Sequence, residues 1–289
     1  MNRITAMEDA VNNMIDKRPH SKEALLAFKP VLLEKVRWRE KLHSSGDIRA
    51  GIDRIRLKEG VPVIRQTGLL LPSDPWNEII LSVISAAATG FPDLQAELER
   101  LAECVGNKAI PFEDFFRKYP DAGEEDIEAW SSKWEIRPAA VRFIMRTAAG
   151  IVLEKRAADL AGYIGDSDWD KGYCPVCGSF PSLAIIEEKI GRRTLHCSQC
   201  AFEWNFSRVD CPFCGNHAPE GMDFFFVSDK EQESAYVCHK CSRYIVTLNR
   251  VSDLHSQNRE VSAISLAHMD MIMQDKGFVP MAACDWNVF

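Results

Sequence analysis

The sequence predicts a multidomain α+β protein: an all-helical N-terminal domain over residues 1–168, two tandem metal-ribbon modules over 169–208 and 209–252, and a C-terminal helix with its tail over 253–289. Three observations predict it. Apolar residues recur at helical spacing through the first part of the chain. Eight of the ten cysteines fall between Cys174 and Cys241 as four Cys-x-x-Cys pairs. Short strand-like runs flank each pair.

From Ser21 to about His43 the residues Leu25, Leu26, Phe28, Val31, Leu32, Val36 and Leu42 mark one helix, with Pro30 as a boundary or kink. Asp47 to Leu57 continues in helical register until Gly60-Val-Pro62 breaks it. Leu70 to Pro75 reads as a loop entering a helix capped by Ser73 or Asp74. Trp76 to Ala88 is an apolar helix and Thr89 to Pro92 a turn; Asp93 to Val105 is an amphipathic helix burying Leu94, Leu98 and Leu101, so the pair forms a helical hairpin. Phe112 to Arg117 and Glu124 to Trp134 are shorter helices. Pro138 to about Tyr163 is a long one with Val141, Ile144, Ile151 and Leu160 inward. Gly165 to Asp170 then reads as a linker.

The four pairs are Cys174/Cys177, Cys197/Cys200, Cys211/Cys214 and Cys238/Cys241. Two intervening residues let both sulfurs face one ion from a tight turn, and two such knuckles complete a tetrahedral thiolate shell. The segment also repeats itself. Cys174-Pro-Val-Cys-Gly178 is echoed by Cys211-Pro-Phe-Cys-Gly215, and the offsets of 37 residues between first knuckles and 41 between second ones describe a tandem duplication. That order favours pairing within each copy, Cys174, Cys177, Cys197 and Cys200 in one site and Cys211, Cys214, Cys238 and Cys241 in the other; interleaved pairing is the alternative. Disulfides need an oxidising compartment, and a thioredoxin-type pair comes singly near a βαβ unit, so the spacing favours metal. It allows iron or zinc, two ions per chain.

Each copy has the layout of a three-stranded ribbon. Leu183 to Glu188, Arg193 to His196 and Phe202 to Phe206 form the first, with Gly191 at a turn; Asp223 to Val227, Ala235 to Val237 and Arg243 to Leu248 form the second. Gly178 and Gly215 suit positions of positive φ that turn backbone N–H groups toward the sulfurs. Small β units bury little apolar surface, so the metal is read as structural, and loss of one module's metal is expected to leave the helical domain folded. After the ribbons, Glu260 to Lys276 reads as a helix ended by Gly277, with Ile264, Met271 and Ile272 apolar.

Of the 289 residues 46% are hydrophobic and 27% charged, enough to bury a sizeable core. No apolar run approaches bilayer-spanning length, and the N-terminus lacks a hydrophobic signal core, so a cytoplasmic location is expected. The net charge of −7 is uneven: residues 16–65 carry 13 Lys and Arg against 7 Asp and Glu, residues 66–171 carry 11 against 19, and residues 172–250 carry 8 against 9. Each tetrathiolate site adds about −2. A nucleic-acid-binding ribbon is disfavoured on that ground.

No nucleophile elbow, phosphate loop or dinucleotide fingerprint is present, and no catalytic residue is assigned. His196 and His239 border knuckles whose tetrads are already complete. They read as surface or supporting residues. Cys104 is expected on a helix and buried, and Cys284 as a spare thiol. Asp121, Glu124, Glu125, Asp126 and Glu128 open a helix, where the macrodipole accounts for them. Arg192-Arg193 sits at a hairpin tip, and Trp204 and Tyr244 are expected to pack against the metal sites.

The ribbon region resembles the FdhE family, the accessory proteins of formate dehydrogenase assembly. The resemblance is carried by Cys174-Pro-Val-Cys-Gly-Ser-Phe-Pro181, by Leu195-His-Cys-Ser-Gln-Cys-Ala-Phe-Glu-Trp204 with Arg208 and Cys211, and by Val237-Cys-His-Lys-Cys-Ser-Arg-Tyr244. Met269-Asp270 to Gly277-Phe278 also looks like that family's ending. The match is close over about residues 172–278 and general in the helical part. Phe202 and Asn205, flanking Glu203-Trp204, depart from the polar and His residues of the family pattern, a difference that bears on client choice. The resemblance implies two rubredoxin-like modules with rubredoxin-type iron and a cytoplasmic, non-catalytic maturation factor. Its partner would be the molybdenum- or tungsten-dependent catalytic subunit of formate dehydrogenase. The competing reading is a rubredoxin-like electron carrier, since an iron tetrathiolate cycles between two charge states.

Overall fold

The structure, a computed structural model, describes residues 2–44, 48–119, 124–165, 168–228, 230–252 and 258–287. Its helical part opens with α1 (Arg3–Lys17), whose Asn2 side chain accepts from the Ile4 amide, and α2 (Lys22–Lys41), which continues through Pro30. A 3-10 turn at Ile48–Gly51 and the short α3 (Arg54–Lys58) replace the single helix expected from Asp47, because the Asp53 carboxylate caps Ile55 and Arg56 and starts a new helix there. Residue 47 itself lies outside the described residues.

Then come α4 (Trp76–Gly90), α5 (Gln95–Gly106), α6 (Phe112–Arg117), α7 (Glu124–Trp134) and α8 (Pro138–Ile164), close to the expected bounds. Neither Ser73 nor Asp74 caps α4; its cap position is Pro75. Asp74 instead accepts from the Leu71 amide and, at 2.7 Å, from the fully buried Arg156 of α8. A buried guanidinium without a counter-charge is costly, and that demand outweighs capping. The Asp121 of the acidic cluster lies outside the described residues, while Glu124, Glu125 and Asp126 form the first turn of α7.

Each cysteine copy folds as an antiparallel meander: β1 (Pro181–Glu187), β2 (Arg193–Cys197) and β3 (Glu203–Phe206), then β4 (Met222–Val227), β5 (Lys230–Cys238) and β6 (Arg243–Val251). The meanders join through parallel pairing of β1 with β6, Ala184 opposite Thr247 and Ile185 opposite Leu248. One sheet results, in the order β3-β2-β1-β6-β5-β4. The third strand of the second copy lies against the first strand of the first, so the repeats add head to tail. The join buries β1: Ala184 enters a core shared with the helices, while Leu183 and Ile185 enter a second cluster on the opposite face.

That second face is covered by the C-terminal segment. The single helix expected from Glu260 to Lys276 is broken into α9 (Arg259–Ser265) and α10 (Ala267–Asp275) at Leu266. The break lets Val261 and Ile264 join the helical core while Leu266, Met269 and Met273 face the sheet, which one straight helix could not do. Met271 and Ile272 are exposed. The tail, without a clear period in sequence, adds β7 (Val279–Pro280) in parallel to β6. The larger core runs without interruption from Met7, Leu25 and Ile144 to Cys174, Cys197 and Trp204, so helices and ribbons share one interior.

Candidate metal centres

The first two knuckles meet at the start and middle of the first meander. Cys174 Sγ lies 3.5 Å from Cys200 Sγ, and Cys177 Sγ lies 3.3 Å from Cys197 Sγ. In the second copy Cys211 and Cys241 are 3.8 Å apart, and Cys214 and Cys238 are 3.7 Å apart. A tetrahedron with metal–sulfur bonds of about 2.3 Å has edges of about 3.8 Å, so both clusters have the donor type and size for a tetrahedral thiophilic ion. The grouping is within copies, not interleaved, and each set could hold one metal ion.

Backbone amides support the sulfurs as the knuckle pattern implies. Val176 N donates to Cys174 Sγ and Gln199 N to Cys197 Sγ, each at 3.4 Å. In the second cluster the amides of Phe213 and Cys214 face Cys211, and those of Lys240 and Cys241 face Cys238. Burial and the crowding of neighbouring thiols push Cys174 and Cys200 well above the usual thiol range. Burial also acts against ionisation of Cys177, but hydrogen bonds from Cys174, Cys197, Cys200 and Ser179 bring it well below. Burial pushes Cys211 up to about 11. Each bare cluster thus shares protons among its sulfurs, and a metal ion would displace them.

The left-handed turn after each knuckle is fourfold, a regularity only half visible in sequence. Gly178 and Gly215 have φ of 77° and 67°, and Ala201 and Ser242 adopt 55° at the equivalent places. A bound metal would supply the constraint that holds two non-glycine residues there. In the metal-loaded chain Gly215→Ala, whose new Cβ meets open space, should cost about 1 kcal/mol in chemical denaturation through φ alone. Gly178→Ala should cost more, because its Cβ would also press on Pro62 at 3.3 Å.

The two clusters differ in surroundings. All four sulfurs of the first belong to buried residues, and its knuckles are bonded to the helical part: Val63 N and Ile64 N donate to Pro175 O and Val176 O at 2.9 Å, and Gln199 Nε2 reaches Arg146 O on α8 at 2.7 Å. Arg146 is half-buried, and although burial works against its charge, Asp285 with Cys284, Tyr119 and Cys197 hold it above the usual arginine range. The second cluster leans on the first module through Phe213, whose ring lies 4.8 Å from that of Phe180 and 4.0 Å from the Arg243 guanidinium. Its Cys214 and Cys241 are partly exposed.

Other residues singled out in sequence fall outside the clusters. His196 is buried and faces Glu203 at 3.6 Å, and His239 is exposed and bonded to Asp223 at 2.7 Å. Trp204 packs in the core with the first cluster and donates to Lys171 O. Tyr244 does not pack against the cysteines; it belongs to the opposite face and donates to Asp270 at 2.8 Å. Cys104 is only half-buried, whereas Cys284 is buried. Arg193 is no exposed hairpin tip: fully buried, it donates to the carbonyls of Ser207, Arg208 and Asp210 and so fastens the connection between modules, with burial drawing it down to about 10. A paired Arg192-Arg193 gave no signal of this, because which arginine turns inward depends on the intermodule contact.

Residues 173–208 match the family model described as FdhE, central domain. A protein FdhE homolog of Aquifex aeolicus is 35% identical over 117 residues, 38% of this chain and 40% of that one. A homolog from Serratia proteamaculans is 26% identical over 212 residues, covering 71% of this chain and 63% of that one. The matched stretches therefore span less than two thirds of these relatives' length. The crystal structure of the FdhE protein from Pseudomonas aeruginosa shares the fold with a TM-score of 0.62 at 19% identity, covering 98% of this chain and 94% of that one. The chain is thus similar to FdhE proteins in the stretch around its first cysteine cluster, and it shares the fold of one of them over nearly its whole length.

Proposed function

We propose that the chain is a non-catalytic accessory protein of formate dehydrogenase maturation that binds the immature catalytic subunit in the cytoplasm. Cys174, Cys177, Cys197 and Cys200 hold one ion, iron or zinc, and Cys211, Cys214, Cys238 and Cys241 hold the second. The observation that carries this reading is the pairing of two thiol clusters in one FdhE-type sheet, one sealed against the helices and one at the surface. When bound, the metal supplies rigidity to the knuckles. Loops fixed in this way lose little entropy on meeting a partner.

The surface beside the second cluster suits protein contact. β4 forms one free edge of the sheet, and its Phe226 is 52% exposed. His239 and Lys240 on the adjoining knuckle are also exposed. No helix of the described residues is long and apolar enough to cross a membrane, and the proposed encounter needs none.

The test is co-purification of the catalytic subunit with the chain, with formate dehydrogenase activity measured in cells that lack it. Wild-type chain should retain the subunit, Cys238→Ser should retain much less, and the cells should lose activity. Unchanged activity together with no retained subunit would discard the proposal. The exposure of Cys214 and Cys241 favours a second reading, an electron carrier with iron in the outer cluster. A reversible one-electron couple without client capture would support that reading instead.

A further inference from the structure

Away from the cysteines, three side chains from distant parts of the chain converge: His20 in the 3-10 turn Pro19–Ser21, Glu233 on β5 and His268 on α10. One donor atom from each lies within 4.8 Å of the other two. His268 Nε2 is 3.1 Å and His20 Nε2 4.0 Å from Glu233 Oε2. The imidazole rings meet edge to face with centroids 4.4 Å apart. We propose that His20, Glu233 and His268 form a third metal site, separate from the thiol clusters, for a divalent transition ion of the zinc, cobalt or nickel class.

Two observations support the site. Glu233 Oε2 and both ring nitrogens of His268 are buried without a hydrogen-bond partner, so the 3.1 Å approach is poorly aligned for a hydrogen bond. Buried polar atoms normally have partners, and an ion between them would supply one. Second, Arg18 Nε holds Glu233 Oε1 at 2.6 Å, which orients the carboxylate and leaves Oε2 toward the imidazoles. Arg18 is itself fixed by Ser265 Oγ at 3.0 Å. One carboxylate and two imidazoles are a donor set such ions take.

The cationic groups facing the site are Arg18 and Lys230. They make it weaker than a tetrathiolate and restrict it to an ion held by three protein groups, with further positions open to water beside the exposed His20. Because the ligands come from the N-terminal helices, the sheet and the C-terminal helix, a bound ion would fasten all three together.

Cobalt(II) titration of the full chain, with both cysteine clusters already loaded, tests this. One further equivalent should bind with visible ligand-field bands and no thiolate charge-transfer band, and should raise the melting temperature. Glu233→Gln and His268→Ala should each weaken that binding at least about tenfold while the cysteine-bound metal stays. His20→Ala, at an exposed turn that does not threaten folding, should do the same. Failure to bind a further equivalent, a charge-transfer band showing cobalt on cysteine, or binding unchanged in His20→Ala would overturn the proposal.

Discussion

Cys177→Ser should unfold the chain broadly, helices included, whereas Cys214→Ser should loosen the second module and leave most of the helical signal. A structural tetrathiolate contributes on the order of 10–16 kcal/mol of apparent folding free energy, comparable with the entire 5–15 kcal/mol stability of a typical domain. What matters is which core draws on it. Around Cys177 the core is common to the helices and ribbons, and the knuckle carbonyls of Pro175 and Val176 accept from the amides of Val63 and Ile64. Losing the first ion releases those bonds and the contact of Gln199 with α8. The expectation from sequence that the helical domain survives loss of either ion therefore changes for the first cluster. Cys211 and Cys238 of the second cluster also reach the shared core, but the neighbouring Phe213 packs on Phe180 and Arg243 of the ribbons themselves, and two of the four cysteines are partly exposed. A chelator should accordingly remove the outer ion first, with little change in far-UV circular dichroism. Equal helical loss in both variants, or removal of both ions at one rate, would contradict this asymmetry.

What could be read in the sequence was what is local. A Cys-x-x-Cys turn is complete within a few residues, so its grouping and the glycines at Gly178 and Gly215 were legible, as were α6 and α7 to the residue. The parallel union of β1 with β6 was not, because it pairs Ala184 with Thr247 across an intervening module and leaves no periodic trace. Nor was the break at Leu266, where two cores compete for one amphipathic stretch. Buried charges were hidden for the same reason: Asp74 reads as a helix cap and Arg193 as a hairpin-tip residue, and Arg156 gives no signal, until their distant partners are known. His20 lies more than two hundred residues before Glu233 and His268, and the three have no ligand spacing to reveal them.

Lys35→Met should destabilise the chain by about 3–5 kcal/mol at neutral pH, the usual cost of leaving buried charge uncompensated. Lys35 on α2 is 13% exposed, lies 2.7 Å from Glu154 on α8 and also bonds Glu260 on α9. Arg39 approaches Glu154 at 3.4 Å and compensates only part of the charge. Although burial works against both charges, Lys35 is held above the usual lysine range by Glu154 and Glu260, and Glu260 below the usual carboxylate range by Lys35. A depressed carboxylate stabilises the fold above its unfolded pKa, and this contribution is lost as pH falls through its folded value. In Lys35→Met the sign reverses: Glu260 faces Glu154 without the ammonium, its folded pKa rises, and the penalty is relieved on acidification. The gap between wild type and variant should therefore narrow between neutral pH and about pH 5, as measured from urea midpoints at the two values. Adding Glu260→Gln to Lys35→Met should recover part of the loss at neutral pH and flatten that dependence. A cost below about 1 kcal/mol that does not vary with pH would mean the triad is hydrated and that α9 is held on the helices by Val261 and Ile264 alone.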